Sequence, residues 1–261
     1  MDEYNIKKEI IRFLKKEFKR AKTNKAIIGI SGGIDSALTS FLCRDAGLDL
    51  YIFLLPYNKR GLKEAKLILD KLKIEDNKIF YLEIDTLIDN QIKSIKKALI
   101  SSDYKLDKIS EGSVILRERM IFLNALASSI GGLVVGTENL SEYLLGYFTE
   151  YGDEACDIFP IAGLWKTQVF NLAKYMDIPT EIIEKEPTGD VFKNLTDEVD
   201  LGFSYKDADR ILYLYFIKKL EEKHIINGYN FNKELVKKVI KRVDITNYKR
   251  IKKPKCYFSE Y

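Results

Sequence analysis

The segment Gly29-Ile30-Ser31-Gly32-Gly33-Ile34-Asp35-Ser36 carries the residue types from which a phosphate site is made. It follows a short apolar run, Ala26 to Ile30, and opens a helical pattern that continues through Leu38 to Cys43. Glycines let a backbone approach an anion closely, and a helix N-terminus offers unpaired N–H groups. Ser31 and Ser36 add hydroxyl donors. Asp35 has no use against a phosphate itself, because like charges repel. It fits a magnesium ligand, with the ion bridging phosphate oxygens. No Gly-Lys-Ser/Thr follows, so this is not a Walker A loop, and the spacing is not the GxGxxG dinucleotide pattern.

A second group of residues follows the apolar run Leu133 to Val135. Gly136-Thr137-Glu138-Asn139-Leu140-Ser141-Glu142 sits at the C-terminal end of an expected strand, where α/β sheets bind their ligands. Gly146-Tyr147-Phe148-Thr149, Tyr151-Gly152-Asp153, Asp157-Ile158 and Leu164-Trp165-Lys166-Thr167 come next. A lysine after a long loop suits a phosphate and the charge that grows on it during transfer. Two carboxylates such as Asp35 and Glu142 suit magnesium. Arg117 can grip a carboxylate or phosphate with two parallel bonds. By residue type alone, Arg117 also reads as a helix-surface charge, Glu142 as a solvated residue at a helix start, and Lys249 as part of a basic tail.

Ser-Gly-Gly-Ile-Asp-Ser after a strand resembles the pyrophosphate loop of the N-type ATP pyrophosphatases, which cleave ATP between its α and β phosphates. The loop by itself also fits GMP synthetases, asparagine synthetases and tRNA thiolation enzymes. The later motifs narrow the choice. Their order, with Arg117-Glu118-Arg119-Met120, Pro187-Thr188, Thr196-Asp197-Glu198 and Asp200-Leu201-Gly202, is similar to the ammonia-dependent NAD synthetases over residues 25–250. That resemblance implies ATP-dependent amidation of deamido-NAD by ammonia through an adenylate, with AMP and pyrophosphate as by-products. It implies that Asp35 and Glu142 hold magnesium, and that Asp35 and Lys166 are catalytic. Gly29 to Ser36, Thr137, Lys166 and Thr188 would hold ATP. Arg117, Glu150, Asp157, Tyr248 and Lys249 would meet the acid. A cytoplasmic homodimer is implied as well.

Three places depart from the family. Glu150 stands where a lysine is usual, and Tyr248-Lys249-Arg250 where His-Lys-Arg is usual. Gly112-Ser113-Val114-Ile115-Leu116 replaces the usual Gly-Asn-x-x-Ala. The first two fall on the acid side of the site. Hence an alternative stands beside deamido-NAD: a paralogue that adenylates and amidates a different carboxylic acid.

The elements that must position these residues follow from periodicity. Ile6, Ile10, Leu14 and Phe18 mark one apolar helix face. Strands are expected at Ala26–Ile30, Leu50–Leu55, Lys78–Ile84 and Leu133–Val135. Helices are expected at Leu62–Leu72, Leu87–Ile100, Val114–Ile130, Lys166–Met176, Tyr205–Glu222 and Lys233–Ile245. His224, at the end of the charged Tyr205–Glu222 helix, reads as a surface residue or a helix C-cap. Such alternation predicts one α/β domain over residues 1–261: a Rossmann-like parallel sheet of about five strands with helices on both faces, and no glutaminase domain. The stretch Thr137 to Gly163 shows no sustained period and reads as a long functional loop.

Composition removes other classes. Lys and Arg number 43 and Asp and Glu 39, a spread net charge of +4 that does not suggest a nucleic-acid surface. A single histidine, His224, excludes multi-histidine metal sites. Cys43, Cys156 and Cys256 form no CxxC pair, which argues against a zinc site and suits a reducing cytoplasm. No apolar stretch reaches the roughly 18 residues of a membrane span.

Overall fold

The computed structural model describes residues 2–188 and 195–251. The basic tail after Ile251, and Cys256 with it, lie outside the described residues. Four parallel strands, β1 (Lys25–Gly29), β2 (Asp49–Leu54), β3 (Ile79–Tyr81) and β4 (Leu133–Val134), lie in the order β3-β2-β1-β4. β1 pairs on both sides, Ala26 against Leu50 and against Leu133. Both faces of the sheet are covered, so β1 reads as a continuous apolar run rather than an alternating one.

Ala26, Ile28 and Ile52 face a core built with α1 (Glu3–Arg20), α2 (Ile34–Asp45), α3 (Leu62–Leu72) and α7 (Lys166–Tyr175). Ile27 and Val134 face the opposite core, built with α4 (Asp85–Ala98) and α5 (Lys108–Ile130). α1 starts at Asp2, whose carboxylate accepts the Asn5 N–H at 2.9 Å, and buries Ile6, Ile10, Leu14 and Phe18 as their spacing predicts. α5 begins six residues earlier than periodicity suggested. Asp107 caps it through the Ser110 N–H at 2.8 Å, and Gly131, at φ +68°, ends it.

The sheet expected to hold about five strands has four among the described residues. Beyond β4 the pairing continues as a single parallel bridge, Val135 with Ile158. Its ladder cannot extend, because the Val134 N–H is taken by the Asp157 side chain at 2.8 Å and Pro160 has no N–H to give.

The remaining elements form a third apolar cluster: α6 (Leu140–Leu145), α9 (Asp197–Leu201), α10 (Tyr205–Leu212), α11 (Glu222–Gly228) and α12 (Lys233–Ile245). The short α8 (Thr180–Ile183) follows α7. The single helix expected over Tyr205–Glu222 is instead α10, a π-helical turn over Tyr213–Ile217, and a break at Lys219, whose φ is +57°. His224 therefore stands in the first turn of α11 rather than at a C-cap, and it is exposed, as its reading as a surface residue expects.

The C-terminal segment clamps the end of α6, where carbonyls would otherwise lack partners. Arg242 Nε and Thr246 Oγ1 donate to the Leu145 carbonyl at 3.0 and 3.1 Å, and Lys249 Nζ to that of Gly146 at 2.8 Å. Gly146 has φ +61°, and a Cβ there would lie 2.3 Å from Thr246 Cβ. Gly146→Ala is therefore expected to lower stability by about 1–3 kcal/mol in urea unfolding, through backbone strain and crowding. Gly163→Ala, which meets open space, should change it by no more than about 1 kcal/mol.

Candidate active site

A cleft of about 1120 Å³ opens at the C-terminal edge of the sheet. One wall is the turn from β1 into α2. Ile30 and Ile34 are buried and anchor it, while Ser31, Gly33, Asp35 and Ser36 line the space. Ser31 Oγ accepts the Gly33 N–H at 3.2 Å, and Ser36 Oγ donates to the Gly33 carbonyl at 2.9 Å. Gly32 has φ +84°, and a Cβ on it would lie 2.5 Å from the Gly61 carbonyl oxygen. Only glycine fits there. Among the described residues no side chain caps α2, so its first-turn N–H groups are open to a ligand.

Asp35, in the first turn of α2, meets two residues distant in sequence. Lys166 Nζ donates to Asp35 Oδ2 at 2.6 Å and to Glu142 Oε1 at 2.9 Å. Asn139 Nδ2 donates to Asp35 Oδ1 at 2.9 Å. Asn139 and Glu142 also form the capping box of α6: the Glu142 N–H donates to Asn139 Oδ1 at 3.0 Å, and the Asn139 N–H to Glu142 Oε2 at 3.2 Å. The box that starts the helix thus aims Glu142 into the cleft.

Lys166 is 1% exposed. Burial alone would lower the pKa of its ammonium; the carboxylates of Asp35 and Glu142 reverse that and hold it above the ordinary lysine value. Burial pushes the Glu142 carboxyl upward, against the pull of Lys166. The ammonium also lies 5.2 Å from the centre of the Tyr205 ring. The backbone of Lys166 is fixed from behind. Its N–H donates to Ser141 Oγ at 2.8 Å, and the Ser141 hydroxyl donates to buried Asp209. Asp209 Oδ2 further accepts the Thr167 N–H at 2.9 Å and the Thr167 hydroxyl at 2.7 Å.

Thr137, Thr188, Arg117, Glu150, Tyr248 and Lys249 also line the cleft. Arg117 Nε donates to the Glu150 backbone carbonyl at 3.2 Å. Lys249 is tied to the carbonyls of Gly146 and Phe148, and burial lowers its pKa. Asp157 does not line the cleft; one of its carboxylate oxygens, Oδ2, accepts the Val134 N–H.

The sequence reading assigned no role to Glu138, Asp153, Asp197 or Asp209. Burial, with Asp153 and Glu142 nearby, raises Glu138 to about 8, and burial raises Asp153 to about 6. Asp197 accepts the hydroxyls of Tyr147 and Tyr205, both at 3.4 Å. Asn139 and Glu142 at capping-box spacing were a readable signal for α6. Asp209 had none, since its partners lie 42 and 68 residues away.

No three acidic, histidine or cysteine side chains gather in a metal-binding group among the described residues. Asp35 and Glu142 nonetheless share one cation, the Lys166 ammonium. Such a pair, completed by phosphate oxygens and water, is a donor set suited to magnesium.

A family model described as NAD synthase matches residues 6–253. The chain belongs to the NAD synthase family. The NH(3)-dependent NAD(+) synthetase of Fusobacterium nucleatum is 39% identical over 251 residues, covering 94% of this chain and 92% of the relative. Among solved structures, the NH3-dependent NAD synthetase of Campylobacter jejuni, in complex with the nitrate ion, superposes with a TM-score of 0.78 at 28% identity. The match covers 99% of this chain and 100% of the other. The NMN synthetase of Francisella tularensis gives 0.83 at 25% identity, with the same coverage.

In this NAD synthase fold Asp209 is the anchor of both α6 and α7. Asp209→Ala should lower stability by about 2–4 kcal/mol in urea unfolding, because it strands three donors in a buried place. A loss under about 0.5 kcal/mol would contradict the anchoring role.

Proposed function

We propose that this chain amidates the nicotinate carboxylate of deamido-NAD with ammonia, consuming ATP and releasing AMP and pyrophosphate. One observation carries the reading: the Lys166 ammonium is locked between Asp35 and Glu142 beside the open N-terminus of α2. That arrangement suits the departure of pyrophosphate from a bound nucleotide.

The chemistry has two steps. A carboxylate oxygen of the acid attacks the α-phosphorus of ATP, and the bond from that phosphorus to the bridging oxygen breaks. Lys166 and the N–H groups of the first turn of α2 face the charge that grows on the leaving pyrophosphate. Ammonia then attacks the acyl carbon of the adenylate, the acyl–oxygen bond breaks, and AMP leaves as the nitrogen loses a proton. Magnesium, when bound at Asp35 and Glu142, would draw charge from the phosphate oxygens. Thr137 and Thr188 are assigned to ATP, and Arg117, Glu150, Tyr248 and Lys249 to the acid. Catalysis is mainly positioning and charge stabilisation.

We place the chain in the cytoplasm, where its free thiols Cys43 and Cys156 suit a reducing medium. We take it to act as a homodimer, with Ile109 and Ile121 of α5, 76% and 59% exposed, as surface for the second copy to cover. Asp157, outside the cleft of one chain, would then act on the acid across that interface.

The test is AMP release with ammonium salt and a panel of acids that includes deamido-NAD and nicotinate mononucleotide. The second acid is in the panel because of the likeness to the Francisella tularensis NMN synthetase. Deamido-NAD is expected to be the better substrate, and preferred turnover of any other acid would replace this reading. Glutamine should not substitute for ammonia. Asp35→Ala should lower turnover about a thousandfold or more with the fold intact, since it removes both a cation ligand and a partner of Lys166. Near-parental turnover in that variant, with magnesium still required, would refute the role of Asp35.

A further inference from the structure

Arg60 lines the same cleft, yet the chemistry above leaves it unused. Its Nη1 is shut off from solvent and has no hydrogen-bond partner among the described residues. A guanidinium nitrogen in that position has lost its water without gaining a protein acceptor, which is costly unless a ligand supplies one. Lys166, a cation that meets Asp35 of the glycine loop, is already committed to two carboxylates.

The segment that carries Arg60 is held from several sides. Asn58, Lys59 and Gly61 have φ of +55°, +54° and +69°. The Asn58 N–H donates to Asp85 Oδ1 at 2.8 Å, and the Tyr57 hydroxyl to Asp89 Oδ1 at 3.0 Å, so the start of α4 holds the turn. Arg119 Nε, from α5, donates to the Leu55 carbonyl at 3.2 Å. Gly61, the residue after Arg60, abuts Gly32 so closely that no Cβ fits between them. Arg60 therefore stands one residue from the contact with the glycine loop, in the wall of the cleft.

We propose that Arg60 grips the terminal phosphates of bound ATP and stays with pyrophosphate until it departs. A phosphate oxygen supplies the charged acceptor that Nη1 lacks, and a guanidinium fork matches two oxygens of one phosphate. The inference rests on the ATP chemistry proposed above, and it names a binding residue that the glycine loop, Lys166 and the two carboxylates do not include.

The experiment is calorimetric titration of the full chain, with magnesium, by inorganic pyrophosphate and separately by AMP. Arg60→Ala is expected to weaken pyrophosphate about tenfold or more, and to change AMP by less than about twofold. Arg60→Lys should recover part of the loss. The melting temperature of Arg60→Ala without ligand should be no lower than the parent's, since an unpartnered buried group has been removed. Pyrophosphate affinity that is unchanged, or that falls only in parallel with AMP, overturns the proposal. Because binding is read without turnover, the two readings fail separately. Absence of AMP release from deamido-NAD by the parent chain counts against the amidation reading; undiminished pyrophosphate affinity in Arg60→Ala counts against Arg60 alone.

Discussion

The structure turns on one ammonium group held between two carboxylates. Lys166 is almost fully buried, and its partners Asp35 and Glu142 lie 131 and 24 residues away in sequence. A buried charge persists only when it is paired and hydrogen-bonded, and removing one member of such a set costs about 3–5 kcal/mol because the other is left uncompensated. Each nearby element meets that constraint. The β1–α2 turn brings Asp35 forward, the Asn139–Glu142 capping box aims Glu142, and Asp209 fixes the start of α7 so that Lys166 reaches both.

The parts legible in the sequence were those written in local patterns. The amphipathic spacing of α1, the α3 and α12 boundaries, and the strand–turn–helix around Gly29 to Ser36 follow from periodicity and glycine placement. Asp35, Glu142 and Lys166 were singled out by type and motif, and the fold brings all three within hydrogen-bonding distance. The family resemblance read from those motifs agrees with the NAD synthase match over residues 6–253.

Other features were illegible for physical reasons. Asp209 belongs to an ordinary-looking helix, and its meaning comes only from Ser141 and Thr167, which the fold delivers from far away in sequence. The sheet was expected to hold about five strands, yet beyond β4 there is a single bridge, Val135 with Ile158, and the Asp157 side chain takes the Val134 N–H that a ladder needs. The helix expected over Tyr205–Glu222 has the right apolar period, but a π-helical turn and the left-handed Lys219 divide it. The acid side shows a similar limit. A lysine-to-glutamate departure reads as a charge reversal, yet here it is the backbone carbonyl of Glu150 that holds Arg117. Lys249, which lines the cleft, also donates to the Gly146 carbonyl just past the end of α6, a bond that its place in a basic tail did not announce.

The central claim is that this site makes an acyl adenylate, and the path of one oxygen atom tests it most directly. Deamido-NAD labelled with oxygen-18 in its nicotinate carboxylate would be turned over with ammonia and unlabelled ATP, and the AMP weighed by mass spectrometry. Attack of the carboxylate on the α-phosphorus predicts that one labelled oxygen is carried into AMP and none into pyrophosphate. AMP formed without the label, while the amide product accumulates, would contradict the account.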